Sequence, residues 1–277
     1  MADRDPSLAR RARSPARSTP SDVAQYFGRL AHSYGDGEYY IRRRAAVVNA
    51  IADEIAGARR VLDLGCGNGR YLYEFRKSTP EAPSTTVIGA DLSAEMIAQA
   101  RLRNGAGTPL LRADATAVPI RDGALDIIFA SHVFQFVPDK EATMRGLARC
   151  LSPGGAIIVT VGGSGIRAAL RGFASEAQWS ELAGAAFPSR RRIVAMEGEE
   201  PHREAMSRAG LEIEIRDVRF TVTWAGIVEW IDLRWSPFMD NEQRATATRI
   251  LDEMAPQLSS RSFDLSERLL VGRKPAR

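Results

Sequence analysis

Across residues 60–161, short apolar runs alternate with stretches whose apolar positions recur at helical spacing. RVLDL at 60–64, TVIGA at 86–90, LLR at 110–112, LDIIFA at 125–130 and AIIVTV at 156–161 read as strands, rich in aliphatic and β-branched residues. Residues 70–77, 93–103 and 139–150 read as helices between them, with Ser93 placed as an N-cap and Glu95 in the first turn, favourable to the helix dipole. Strands this apolar, alternating with helices, predict a parallel sheet covered on both faces. The fold class expected is therefore α/β, doubly wound and Rossmann-like.

The flanks carry different patterns. Residues 23–40 hold Tyr26, Phe27, Tyr34, Tyr39 and Tyr40, and Val48, Ile51, Ala52 and Ile55 follow at helical spacing, so 23–56 is expected to form a helical cap over a pocket. Residues 162–200 show no strong period and many Gly, Ser and Arg residues, which reads as a lid inserted after the fifth strand. Phe173, Trp179, Leu182 and Phe187 lie in it; they either pack on the domain or wall a substrate pocket together with Tyr26, Phe27, Tyr39 and Tyr40. Beyond it, 204–209 reads as a short helix, 211–222 as a strand, 224–235 and 242–255 as helices, and 262–271 as the closing strand.

Composition narrows the class. The 277 residues, 44% hydrophobic and 26% charged, are those of a globular protein. No run approaches the roughly 18 apolar residues of a membrane span, and no apolar leader suggests secretion. The two cysteines, Cys66 and Cys150, have no metal-like spacing, which suits a reducing cytoplasm. The net charge of +4 is local: Arg4, Arg10, Arg11, Arg13 and Arg17 against Asp3 and Asp5 supply +3 of it within the first twenty residues. Residues 1–22 are expected to be a disordered basic tail and 23–277 the folded domain, whose near-neutral charge argues against nucleic acid as a partner. Nothing in the sequence fixes an oligomeric state.

The stretch Val61-Leu62-Asp63-Leu64-Gly65-Cys66-Gly67-Asn68-Gly69-Arg70 ends a strand in a glycine-rich turn that opens a helix, so backbone amides can approach a ligand closely. It departs from a dinucleotide fingerprint: the third glycine comes one residue early, leaving Arg70 where a small residue is wanted. Asp63, two residues before the first glycine, would repel a diphosphate but suits a cofactor carrying an ammonium and a sulfonium. That chemistry is S-adenosylmethionine. Asp91 closes the second strand, where an acid can accept both ribose hydroxyls. Asp114, with Ala115 beside it, follows the third strand and can accept from an adenine amino group. Ser131 and His132 end the fourth strand, on the ligand-facing crevice.

Taken in order, VLDLGCGNG, VIGADLSAEM, RADA, LDIIFASHVFQFVPD and LSPGGAIIV resemble the class I S-adenosylmethionine-dependent methyltransferases. The resemblance implies a seven-stranded sheet whose last strand is antiparallel. It implies Gly65, Cys66 and Gly67 at the methionine moiety, Asp91 at the ribose, Leu92 and Met96 flanking adenine, and Asp114 and Ala115 at its edge. The leader and VFQFVPD are similar to the small-molecule branch, with its ubiquinone, trans-aconitate and malonyl-carrier-protein methyltransferases, where a tyrosine at the position of Tyr34 approaches the cofactor carboxylate.

Base-amino methyltransferases carry an N/D-P-P-Y/F sequence after the fourth strand; here it reads Ala130-Ser131-His132-Val133-Phe134. A small-molecule acceptor is expected, apolar or aromatic and natural-product-like, methylated on oxygen or carbon. A carboxyl methyltransferase of an acidic or carrier-bound acceptor, and a non-catalytic cofactor-binding regulator, are the alternatives. His132 is the candidate general base, its other role being to pack or hydrogen-bond at the strand end. His32 and His202 are weaker candidates, the latter expected on a surface helix. Arg42, Arg43 and Arg44 read as a solvated helix start, or as cations for an acidic substrate. No metal is expected.

Overall fold

The computed structural model describes residues 19–77, 85–162, 165–186 and 198–276. β1 (Arg60–Leu64), β2 (Thr86–Asp91), β3 (Leu110–Arg112), β4 (Leu125–Ser131) and β5 (Leu151–Gly162) run parallel. With β6 (Glu212–Thr223) and β7 (Ser262–Arg273) they form one seven-stranded sheet in the order β3-β2-β1-β4-β5-β7-β6. β7 is antiparallel to both its neighbours, with Ile158 opposite Val271 and Val218 opposite Glu267. The expected Rossmann-like α/β sheet with an antiparallel last strand is what forms.

The period of two along the central strands sorts their side chains onto two faces. Leu62, Leu64, Ile128, Ala130, Ile157 and Val159 pack with Met144 and Leu147 of α6 (Lys140–Cys150) and Met206 of α9 (Glu200–Arg208). Val61, Ile127, Phe129, Ala156 and Ile158 pack on the opposite face. There they meet Val47 of α2 (Glu38–Ala50), Ile55 of α3 (Ala52–Ala56), and Leu72 and Phe75 of α4 (Arg70–Lys77). α5 (Ala94–Asn104) is capped as expected, the Ser93 hydroxyl accepting from the Met96 amide.

Several boundaries differ from the sequence reading. α1 (Pro20–Leu30) begins inside the segment expected as tail, because Thr19 and Asp22 form a reciprocal capping box there. The cap helix expected from Val48 to Ile55 is two helices, broken where Ile51 leaves helical geometry. β5 starts five residues early, and α9 begins at Glu200 with Pro201 in its first turn.

The segment expected as a lid holds two helices among the described residues, α7 (Ile166–Phe173) and α8 (Glu176–Ala186). With α10 (Trp224–Trp235) and α11 (Asn241–Leu258) they build a second core of Leu170, Leu182, Ile227, Ile231, Trp235 and Leu251. Leu182 is fully buried in it, Trp179 packs against it, and Phe173 is half exposed. None of the three lines the ligand-facing cleft, so packing on the domain prevails over the pocket wall. Phe187 lies outside the described residues.

Candidate active site

The cleft opens at the carboxyl ends of β1, β2 and β4, where the strand order reverses between β1 and β4. It encloses about 1170 Å³, part of it open to solvent. Its floor is the turn after β1. Gly65, Gly67 and Gly69 have φ of 67°, 55° and 80°, values that side chains disfavour. A Cβ on Gly65 would sit 2.3 Å from Cγ2 of Val133, and one on Gly69 only 2.4 Å from Nδ2 of Asn104. The early third glycine is thus explained by α5, against which the turn is pressed.

The expected residues converge on this cleft. Tyr34, Gly65, Cys66, Gly67, Asp91, Leu92, Met96, Asp114, Ala115, Ser131 and His132 all line it. Asp91 accepts the Gly67 amide on Oδ2 (2.8 Å) and the Ser93 amide on Oδ1 (2.9 Å), so it shapes the turn as well as facing the cleft. Burial pushes its carboxyl up, opposed by those amides. Asp114 caps a short 3-10 turn, its Oδ1 accepting from the Thr116 amide and hydroxyl. Burial, with Asp63 and Asp91 nearby, holds the Cys66 thiol well above its usual range.

Asp63 differs from the rest. It does not line the cleft but lies one residue below the lining residue Leu64, 1% exposed, with Oδ2 lacking a hydrogen-bond partner among the described residues. Burial and then the nearby Asp91 charge raise its carboxyl well above the usual range. A buried carboxylate left this way calls for a cation.

The leader is fastened to the turn by the turn's own polar residues. Asn68 Nδ2 donates to the carbonyls of Ala31 (3.0 Å) and Tyr34 (2.6 Å), while Arg70 Nε donates to that of Tyr34 and its guanidinium pairs with Asp36. Arg70, an oddity as a dinucleotide residue, is a clasp here. Phe27 meets Tyr34 and Phe136 edge to face, and Tyr34 tilts against Tyr40, so an aromatic wall closes the cleft. Tyr26 and Tyr39 stand outside the lining: Tyr26 stacks on Phe238, and Tyr39 packs on Phe220 and Trp230.

The opposite wall holds residues that the sequence reading missed. Arg43, read as part of a solvated helix start, is 6% exposed, whereas Arg42 is exposed and Arg44 half-buried. Arg43 Nε donates to Glu267 Oε2 at 2.8 Å, and its Nη2 donates to the hydroxyls of Ser131 (3.0 Å) and Thr160 (3.3 Å). His132 Nε2 lies 2.8 Å from Glu267 Oε1. Arg43 and His132 hold the Glu267 carboxyl at about 2 despite the opposing effect of burial. A period-two signal was present: Phe263, Leu265, Glu267 and Leu269 alternate inward on β7, placing an acid in an apolar row. Arg43 likewise shares a helix face with Val47, four residues on. His32 is exposed, and His202, expected on a surface, is buried with Nδ1 3.1 Å from the Gly198 carbonyl.

Among the described residues no cluster could hold a metal ion, both cysteines are free, and no helix is long and apolar enough to cross a membrane.

Comparison with known proteins agrees with this geometry. A sequence family described as a methyltransferase domain matches residues 62–159. The trans-aconitate 2-methyltransferase of Variovorax paradoxus (strain S110) is 30% identical over 190 residues, covering 66% of this chain and 71% of the relative. A malonyl-[acyl-carrier protein] O-methyltransferase of Xylella fastidiosa (strain M23) is 29% identical over 51% of this chain, which spans only 48% of that relative's length. Among solved structures, the [4+2]-cyclase SpnF superposes with a TM-score of 0.62 at 19% identity, over 94% of this chain and 98% of the cyclase. Geranyl diphosphate C-methyltransferase from Streptomyces coelicolor A3(2), in complex with S-adenosyl-L-homocysteine, gives 0.55 at 15%, over 94% and 99%. The chain belongs to the class I S-adenosylmethionine-dependent methyltransferases, in their small-molecule branch. S-adenosylmethionine is the cofactor of that family.

Proposed function

We propose that this chain transfers a methyl group to a small, largely apolar metabolite held between the aromatic leader wall and His132. One observation carries the reading: a single cleft joins the glycine turn, Asp91 and Asp114 to Phe27, Tyr40, Phe136 and His132. The cofactor roles are those that the family resemblance implies. Gly65, Cys66 and Gly67 receive the methionine moiety and Asp91 the ribose, while Leu92 and Met96 flank adenine, with Asp114 and Ala115 at its edge. Tyr34 lies at the cofactor carboxylate, and Asp63 balances its ammonium from beneath the turn. The orphaned Oδ2 of Asp63 supports that fit. When bound, S-adenosylmethionine supplies a methyl group already activated by the sulfonium, so the protein's task is to align the nucleophile and exclude water.

An acidic acceptor is the second reading, since the relatives are named for trans-aconitate and a malonyl carrier protein. Against it, the lining guanidinium groups are each committed: Arg43 to Glu267, Arg44 to Glu74 and Arg70 to Asp36. A neutral acceptor fits such a cleft better. Incubating the protein with methyl-labelled cofactor and a metabolite extract should yield a labelled small molecule. Label found only in macromolecules would overturn the small-molecule acceptor, and cofactor binding with no transfer at all would overturn the reading in favour of a regulator.

A further inference from the structure

We infer that Glu267, on the last strand, is the positioning residue that makes His132 a base through Nδ1, for an acceptor whose nucleophile is a phenol-type hydroxyl. The inference rests on the methyl-transfer reading above.

Glu267 is 2% exposed, and its two oxygens are divided between partners. Oε2 accepts from Arg43 Nε (2.8 Å), while Oε1 faces His132 Nε2 (2.8 Å) and also accepts from Arg43 Nη2 (3.3 Å). An ionised carboxylate only accepts hydrogen bonds. A neutral imidazole in this contact therefore carries its proton on Nε2 and keeps its lone pair on Nδ1. The His132 side chain is 26% exposed and lines the cleft. The backbone is held to this orientation as well. His132 is the single non-glycine residue with positive φ (55°) among the described residues, and its amide donates to Thr160 Oγ1 at 3.0 Å. Backbone strain of this kind persists where surrounding structure over-determines it.

The other ionisable groups packed here fit the assignment. Arg43 comes from α2 and Tyr71 from α4, with Tyr39 behind Arg43, and burial raises both tyrosines above their usual range. Glu267, held ionised by Arg43 and His132, is a poor proton acceptor itself, so the imidazole is the base. The step balances. The acceptor O–H bond breaks and its proton moves to Nδ1; the oxygen bonds the methyl carbon as the C–S bond breaks, leaving a neutral thioether. The imidazolium, paired with Glu267, then returns its proton to water. A carboxylic acid is already ionised at neutral pH and needs no such base, so the relay points to a hydroxyl.

A mere strut joining α2, β4 and β7 would show the same distances, so the test reads the tautomer. The chain has three histidines. In histidine-15N-labelled protein with S-adenosylhomocysteine at about pH 8, long-range proton–nitrogen spectra should show His132, identified by its loss in H132N, protonated on Nε2. His202, whose Nδ1 faces a carbonyl, supplies the opposite contrast. E267Q should move His132 toward the Nδ1-protonated form. It should lower kcat about 100-fold, while acceptor KM and S-adenosylhomocysteine affinity change less than about twofold. Glu267→Asp should restore part of kcat, and E267Q should cost nothing further in an H132N background. An Nδ1-protonated His132 in the wild type, or a tautomer indifferent to E267Q, overturns the assignment; if E267Q does not fold, the wild-type tautomer decides. Labelled product from extract should be a base-stable methyl ether, and an ester or C-methyl product overturns the acceptor class. No labelled product overturns the methyl-transfer reading instead, leaving the tautomer to judge Glu267.

Discussion

Asp63→Asn isolates the carboxylate beneath the glycine turn. Its Oδ2 is buried without a partner, and burial with the neighbouring Asp91 raises its carboxyl well above the usual range. A raised folded pKa means that the folded chain holds this proton more tightly than the unfolded one. The stabilisation is present at low pH and is lost as pH rises through the folded value. Asparagine keeps the shape and removes the charge, though one polar atom stays unpartnered, so where the wild-type carboxyl is ionised the ligand-free variant should be more stable by about 1–3 kcal/mol, the excess cost of burying a charged rather than a neutral unsatisfied group. For a chain of this size that is roughly 2–10 °C in Tm. The difference should widen as pH rises above the ordinary carboxyl value of 3.8 and close below it, where the carboxyl is protonated in folded and unfolded chains alike. Cofactor binding should move the other way: losing a charge-assisted bond to an ammonium costs about 1.5–3 kcal/mol, or roughly 10- to 150-fold in Kd for S-adenosylhomocysteine. Thermal melts across pH and titration calorimetry at pH 7.5 read the two effects separately. A lower Tm at every pH with unchanged affinity would refute the reasoning and make Asp63 an ordinary structural acid.

Gly65→Ala must displace Val133, whose Cγ2 would sit 2.3 Å from the new Cβ at a φ of 67°; a stability loss of about 1–3 kcal/mol is expected from chemical denaturation, with weakened cofactor binding. Asp91→Ala removes the acceptor of the Gly67 and Ser93 amides as well as the proposed ribose contact. Calorimetry should show a loss of about 2–3 kcal/mol in S-adenosylhomocysteine binding, and an unchanged affinity would sink the assignment. Leu182→Ala, at a fully buried position of the second core, should lower stability by about 2–5 kcal/mol while leaving cofactor affinity and acceptor KM alone; a raised KM with an intact Tm would restore the pocket-wall role. Arg43→Met leaves Glu267 buried without its guanidinium and should cost about 3–5 kcal/mol at pH 7. Because the folded Glu267 carboxyl sits at about 2 against an ordinary 4.5, its stabilisation is present above 4.5 and lost as pH falls toward 2. Urea melts should therefore show the gap from wild type narrowing over that interval.

The sequence by itself determined the sheet and the residues along one side of the cleft. Both are local: period-two apolar runs fix strands, and a glycine turn with an acid closing the next strand depends on spacing along the chain. Gly65, Gly67, Asp91, Asp114 and Ser131 were legible for that reason, and all line one cleft. The opposite wall was decided only by tertiary structure. Arg43, His132 and Glu267 come from α2, the end of β4 and β7, the arginine and the glutamate lying 224 positions apart in sequence. β7 inserts antiparallel between β5 and β6, which brings Glu267 beside the end of β4. No local periodicity encodes that insertion, so a charged residue on an apolar face read as solvated until its partner was in place. The destination of the apolar residues after β5 was not legible for a similar reason. Trp179 and Leu182 announced burial, but burial is non-directional, and only the packing of α8 on α11 settled which core received them.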